Sequence, residues 1–199
     1  MTSSRPTVLL LSLGLTSALA ISGCAPVLIG GAATAGVAVA QERTIGDAID
    51  DTVIQARVKD RLLQQSGNLF LRVGTEVLEG RVLLTGSVTA PQDRVEAVRI
   101  TWTVPGVREV LNEIQVAERG GVANALVDAR ITTTLRFQLM GDRAISDINY
   151  SIETVNGIVY LMGIAQNQVE VDRIVGYARN INGVRQVISH VVLRDDPRR

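Results

Sequence analysis

The chain is short of the residues on which much protein chemistry depends. Its single cysteine rules out an intramolecular disulfide. Its single histidine has no second imidazole or thiolate to join it in a zinc site, and no nucleophile elbow, phosphate loop or metal-spaced cluster occurs. Aromatics make up only 3% of the chain against 46% hydrophobic residues, so Val, Ile and Leu must build most of the core. Twenty basic residues cancel twenty acidic ones, which removes the positive field of a nucleic-acid binder. These gaps lead us to expect no enzyme, no cofactor, no metal and no nucleic-acid partner. The 199 residues are enough for one ordinary domain or two small ones.

What is present begins with an address. Arg5 supplies a positive start, and Val8 to Ala20 is an apolar run of signal-core length rather than a membrane span. Small residues then lead into Ile21-Ser22-Gly23-Cys24, which resembles the lipobox of bacterial lipoproteins. That resemblance implies removal of a signal peptide (residues 1–23), a diacylglyceryl thioether on Cys24 and a further acyl chain such as palmitate. Ala25 stands where an inner-membrane retention signal would place Asp, so the implied destination is the outer membrane, facing the periplasm. Residues 24–44 carry the anchor and an Ala/Gly/Val stretch. Gly30, Gly31 and Gly36 break it too often for a second span, and it reads as a tether.

The remainder repeats itself. Gly80-Arg81-Val82-Leu83-Leu84-Thr85-Gly86 returns as Gly157-Ile158-Val159-Tyr160-Leu161-Met162-Gly163, at an offset of 77 residues. The same offset carries Gly106-Val107 onto Gly183-Val184, Val110 onto Val187, Leu62 onto Leu139 and Ile54 onto Ile131. A gapless register of this length signals duplication, with two small domains at 45–118 and 119–195, a joint at Glu118-Arg119-Gly120-Gly121 and a tail at 196–199.

Each copy predicts the same elements. A helix over Val53–Gln65 or Ala125–Met140 is marked by Ile54, Val58, Leu62 or by Val127, Ile131, Leu135, Leu139, four residues apart. Leu71, Val73, Thr75, Val77 and Ile148, Tyr150, Ile152, Thr154 have the two-residue period of a strand. Glu79-Gly80 and Asn156-Gly157 close hairpins. A second helix starts near Pro91 or Gln168, and a last strand covers Glu109–Val116 or Gln186–Leu193. The expected fold is α+β: two tandem helix–strand–strand–helix–strand modules, each with two helices on one face of a three-stranded mixed sheet.

These residues resemble the BON domain family. Its hairpin pattern Gly-x-Val-x-Leu-x-Gly, followed by a helix and Gly-Val-x-x-Val, is met by Gly80, Val82, Leu84, Gly86 with Gly106, Val107, Val110. The second copy meets it with Gly157, Val159, Leu161, Gly163 and Gly183, Val184, Val187. The family's asparagine after the last valine stands as Asn112, but Ser189 replaces it in the second copy. A lipobox with two BON domains is similar to division- and stress-associated outer-membrane lipoproteins. That similarity implies a non-enzymatic protein that binds anionic phospholipid through its second domain and supports outer-membrane integrity. The alternative is a protein-binding adaptor or stress-response chaperone with envelope protein partners.

Single residues add detail. His190 aligns with Glu113 and reads as structural or surface; Asp50-Asp51 reads as a helix cap. Gly86 and Gly163 read as backbone devices that permit a close approach or a bulge. Trp102, with Val95 and Val98, is expected in the core or at a domain interface.

The two first helices differ in a telling way. At about 100° per residue, Leu126, Arg130, Thr133, Phe137 and Met140 form a strip roughly opposite Ile131 and Leu135. The matching strip in the first copy is Ile49, Val53, Ala56, Asp60 and Leu63, so an acid stands where Phe137 does. Arg130, Arg136 and Arg143 lie on or beside the strip. Apolar residues fringed by arginine suit an interfacial lipid contact. Packing of Phe137 against the first domain is the competing expectation. The similar lipoproteins place an aromatic at the position of Arg130, so an aromatic at Phe137 is a departure. Residues 43–118 carry 9 basic and 11 acidic side chains, and residues 119–199 carry 10 and 8. The second copy is therefore the better suited to an anionic surface.

Overall fold

The computed structural model describes residues 45–117, 122–197 and 199. Cys24, the 24–44 tether and the joint at 118–121 lie outside the described residues. The first module runs α1 (Ile45–Gln65), α2 (Gly67–Arg72), β1 (Val73–Leu78), β2 (Arg81–Val88), α3 (Pro91–Trp102), β3 (Glu109–Asn112) and β4 (Gln115–Val116). The second runs α4 (Val122–Gly141), a 3-10 turn (Asp147–Asn149), β5 (Tyr150–Val155), β6 (Ile158–Ala165), α5 (Gln168–Arg179) and β7 (Gln186–Leu193).

In each module the middle strand pairs antiparallel with the strand before it and parallel with the strand after α3 or α5. The fold is therefore α+β with mixed sheets. The four-apart stripes are buried as their spacing dictates: Ile54, Val58, Leu62 in α1 and Ile131, Leu135, Leu139 in α4. Val127, at the end of the α4 stripe, is exposed instead. Both hairpins turn through two residues of positive φ, Glu79-Gly80 and Asn156-Gly157. A type I′ turn requires this, and it matches the twist of the flanking strands. Pro91 opens α3, and the Asn167 side chain caps α5 by accepting from the Glu170 amide.

Four expectations need correction. Helix α1 starts at Ile45, eight residues before Val53, so Asp50-Asp51 lie inside the helix and not at its cap. Leu71 and Ile148 precede their strands: Leu71 lies on α2 and Ile148 in the 3-10 turn. Ser66 caps α2, and the helical turn buries Leu69 but leaves Leu71 68% exposed, a split that two-residue alternation would not give. The strand expected over Glu109–Val116 is broken at Glu113-Ile114. There the Asn112 side chain accepts from the Ile114 amide and Ile114 turns into the core, whereas β7, with Ser189, runs unbroken. Finally, Trp102 is 52% exposed and Val95 more so, because Ala97, Ile100 and Thr101 take the buried face of α3.

The strands bury both faces. Val82, Leu84 and Val88 of β2 enter the first helix-covered core, and Val159, Leu161 and Ala165 of β6 the second. The alternate residues Leu83, Tyr160 and Met162 form a third cluster with Leu78, Leu111, Val155, Ile158 and Ile188. The two sheets thus meet on the faces away from their helices. Equivalent positions share this cluster: Leu83 and Tyr160, Leu111 and Ile188, Leu78 and Val155. Glu113 Oε1 and His190 Nε2, also equivalent, are 2.9 Å apart. Like meeting like is the mark of an approximate two-fold axis, the intramolecular form of a self-complementary dimer contact.

Candidate functional site

Two aspartates hold the motif glycines in place. Asp51, nearly fully buried, accepts from the amides of Glu79 (2.7 Å) and Gly80 (2.9 Å). Asp128 of α4 does the same for Asn156 and Gly157, both at 2.8 Å. Each carboxylate ties the start of its helix to its hairpin turn. Gly80 and Gly157 need their positive φ, and their carbonyls accept from Arg108 and Arg185, next to Gly106 and Gly183. A Cβ on Gly86 would stand 2.0 Å from the Arg72 carbonyl, and one on Gly163 2.4 Å from the Tyr150 ring. The six motif glycines therefore act on the backbone, through close approach rather than ligand chemistry. Sequence periodicity missed the aspartate clamp, although one signal was available: both copies carry Asp at the same offset.

The strip on α4 faces solvent. Leu126 is 67% exposed, Phe137 74% and Met140 68%, so the Phe137 ring does not pack against the first module. Its polar members are partly occupied. Arg130 Nη2 donates to the Asn182 carbonyl at 2.7 Å, binding α4 to the loop after α5. The Thr133 hydroxyl donates to the Ala129 carbonyl one turn back. Arg143 is exposed in the loop after α4. Arg136, also exposed, lies off the strip on the side of the first module, where its charge acts on Glu153. Burial, reinforced by Glu76, pushes the Glu153 carboxyl above the ordinary range, against the pull of Arg136 and Lys59. No helix among the described residues is long and apolar enough to cross a membrane, and none of their acidic, His and Cys groups is clustered to hold a metal ion.

Beside the strip, a cleft of about 730 Å³ separates α4 from the first module. Arg72, Gly86 and Ser87 form one wall, and Ala125, Ala129 and Thr133 stand opposite. No repeated position marks this cleft, since Arg72 is matched by Asn149 and so lies outside the repeat.

Known proteins resemble this chain over most of its length. The family model described as BON domain matches residues 50–118 and 127–195. An uncharacterised protein in the gshII 5′ region of Anaplasma centrale is 40% identical over 73% of this chain and 96% of its own length. The outer membrane lipoprotein DolP of Haemophilus influenzae is 31% identical over 85% of this chain and 88% of its own. Osmotically-inducible protein Y of Escherichia coli is 28% identical, over 72% of each chain.

Proposed function

We propose, from the premise that this chain belongs to the BON domain family, that it is a non-enzymatic lipoprotein of the outer membrane, facing the periplasm, whose second module docks on anionic phospholipid. Cys24 is the lipid anchor in this reading, and the docked protein supports the integrity of the outer membrane. The observation that carries the reading is the strip on α4: Leu126, Phe137 and Met140 stand exposed in a row that its own core does not use.

The chemistry suits a weak interfacial contact. Burying the Phe137 ring contributes roughly 1.5–3 kcal/mol, and each arginine near an anionic surface contributes on the order of 1 kcal/mol. Arg143 and Arg136 flank the strip; Arg130, held by Asn182, mainly orients the helix. Alone, such a contact holds the module only at lipid concentrations on the order of millimolar, as used for co-sedimentation. The acyl anchor and a tether of about twenty residues confine the module within at most ~70 Å of the bilayer, which raises its local concentration there. The similarity to an outer membrane lipoprotein over 88% of that protein's length supports the location.

Vesicle co-sedimentation of the chain from residue 45 onward tests the reading. Retention on phosphatidylglycerol-containing vesicles is to exceed retention on pure phosphatidylcholine, and Phe137→Glu with Arg143→Ala is to lower the affinity on the order of a hundredfold or more, the sum of the contributions above. Equal retention of the variant would remove the site. Indifference to lipid charge, together with a protein captured by cross-linking, would instead favour an adaptor.

A further inference from the structure

The cleft beside α4 has features the strip does not explain. At about 100° per residue, Ala125, Ala129, Thr132 and Arg136 form a row alongside the Thr133–Met140 edge of the strip. The cleft therefore opens along the edge of the exposed apolar row, and its volume of about 730 Å³ is that of a small-ligand site. Arg72 borders it from the first module, and its Nη1 is buried with no hydrogen-bond acceptor among the described residues. A buried N–H of a guanidinium without an acceptor is costly, and an anionic oxygen is what it lacks. Small residues on α4, Ala125 and Ala129, leave room for that oxygen to approach.

Two carboxylates also border the cleft, and neither opposes an anion strongly. Both oxygens of Asp128 are engaged by the Asn156 and Gly157 amides. Glu153 is drawn toward its neutral form by burial and by Glu76, with Arg136 and Lys59 as its cationic neighbours. Leu71, 68% exposed and next to Arg72, adds an apolar neighbour from the first module.

We infer that this cleft seats the phosphate-bearing headgroup of one phospholipid, with Arg72 as the group that binds the phosphate and the acyl chains leaving along the α4 strip. The inference rests on the membrane reading above and extends it: the lipid site is shared between the modules. Docking by the strip needs only the second module, whereas headgroup selection needs both.

The full acylated chain in vesicles tests this. With Cys24 in its thioether, Ala129→Cys supplies a free thiol in the cleft, and the parent chain serves as the blank. Phosphatidylglycerol, added to phosphatidylcholine vesicles, is to slow maleimide labelling at residue 129 on the order of tenfold, as for a site nine-tenths occupied. Adding Arg72→Gln is to abolish that slowing, and Arg72→Lys, which keeps the charge, is to restore part of it. Met140→Cys reports the strip separately. Shielding at 140 without shielding at 129 overturns the cleft and leaves the docking; shielding at neither overturns both. Slowing at 129 that persists in Arg72→Gln removes Arg72 from the site. Slowing by inorganic phosphate in pure phosphatidylcholine vesicles would make the cleft a free-anion site instead.

Discussion

A carboxylate that accepts two backbone amides fixes more than its own position. Asp51 and Asp128 each reach across nearly thirty residues to the two turn amides of their hairpins. A hydrogen bond to a charged group contributes about 1.5–3 kcal/mol, so Asp51→Ala, which strands two donors, is expected to cost on the order of 3 kcal/mol. Asp51→Asn keeps one acceptor and should cost less. Urea unfolding measures both, and an unchanged midpoint for Asp51→Ala would show the clamp to be dispensable. The same scale explains Trp102. Periodicity grouped it with Val95 and Val98, but the helix is rotated so that Ala97, Ile100 and Thr101 face the sheet. Small and β-branched residues pack closely there, and the large ring is left outside.

At the scale of elements, the glycines divide by what a side chain would meet. Gly86 has φ +108° with the Arg72 carbonyl against it, so strand β2 passes the end of α2 with no room for a methyl group. Gly86→Ala is expected to destabilise by on the order of 3 kcal/mol or more, through overpacking and strain together. Gly176, inside α5, would place a Cβ in open space, and Gly176→Ala should stabilise by roughly 0.5–1 kcal/mol. Thermal melts of the pair separate a steric glycine from an incidental one; similar shifts in both would contradict the close approach at β2. The broken last strand of the first module belongs here too. The Asn112 side chain holds the Ile114 amide at 3.2 Å, and the Ser189 hydroxyl accepts from the equivalent Val191 amide at 3.4 Å while β7 stays paired, so what separates the two elements is the burial of Ile114 in its core.

Across the whole molecule, the seam between the sheets is a third core. Leu83, Tyr160 and Met162 are buried on it, and Gln115 Nε2 donates to both the Tyr160 hydroxyl and the Val155 carbonyl. Arg199 adds an ion pair to Glu79 at 2.6 Å, binding the end of the chain to the first hairpin. Removing a buried ring costs about 3–5 kcal/mol. In Tyr160→Ala that loss falls on the contact between modules, leaving the helix-covered cores intact. The parent chain should therefore unfold in one calorimetric transition and Tyr160→Ala in two. A single transition in the variant would place the coupling elsewhere.

The sequence by itself determined the duplication, the order of the two long helices and three strands in each copy, the two hairpin turns and the outward strip on α4. All of these follow from local rules: a four-residue stripe, a two-residue alternation, a turn dipeptide, an offset of 77. Only the tertiary structure decided that the two sheets face each other, that Asp51 and Asp128 leave the helix surface for distant amides, and that Arg72 borders a cleft with α4. The reason is physical: contacts between groups far apart in the chain depend on how whole elements dock, and no local period records that.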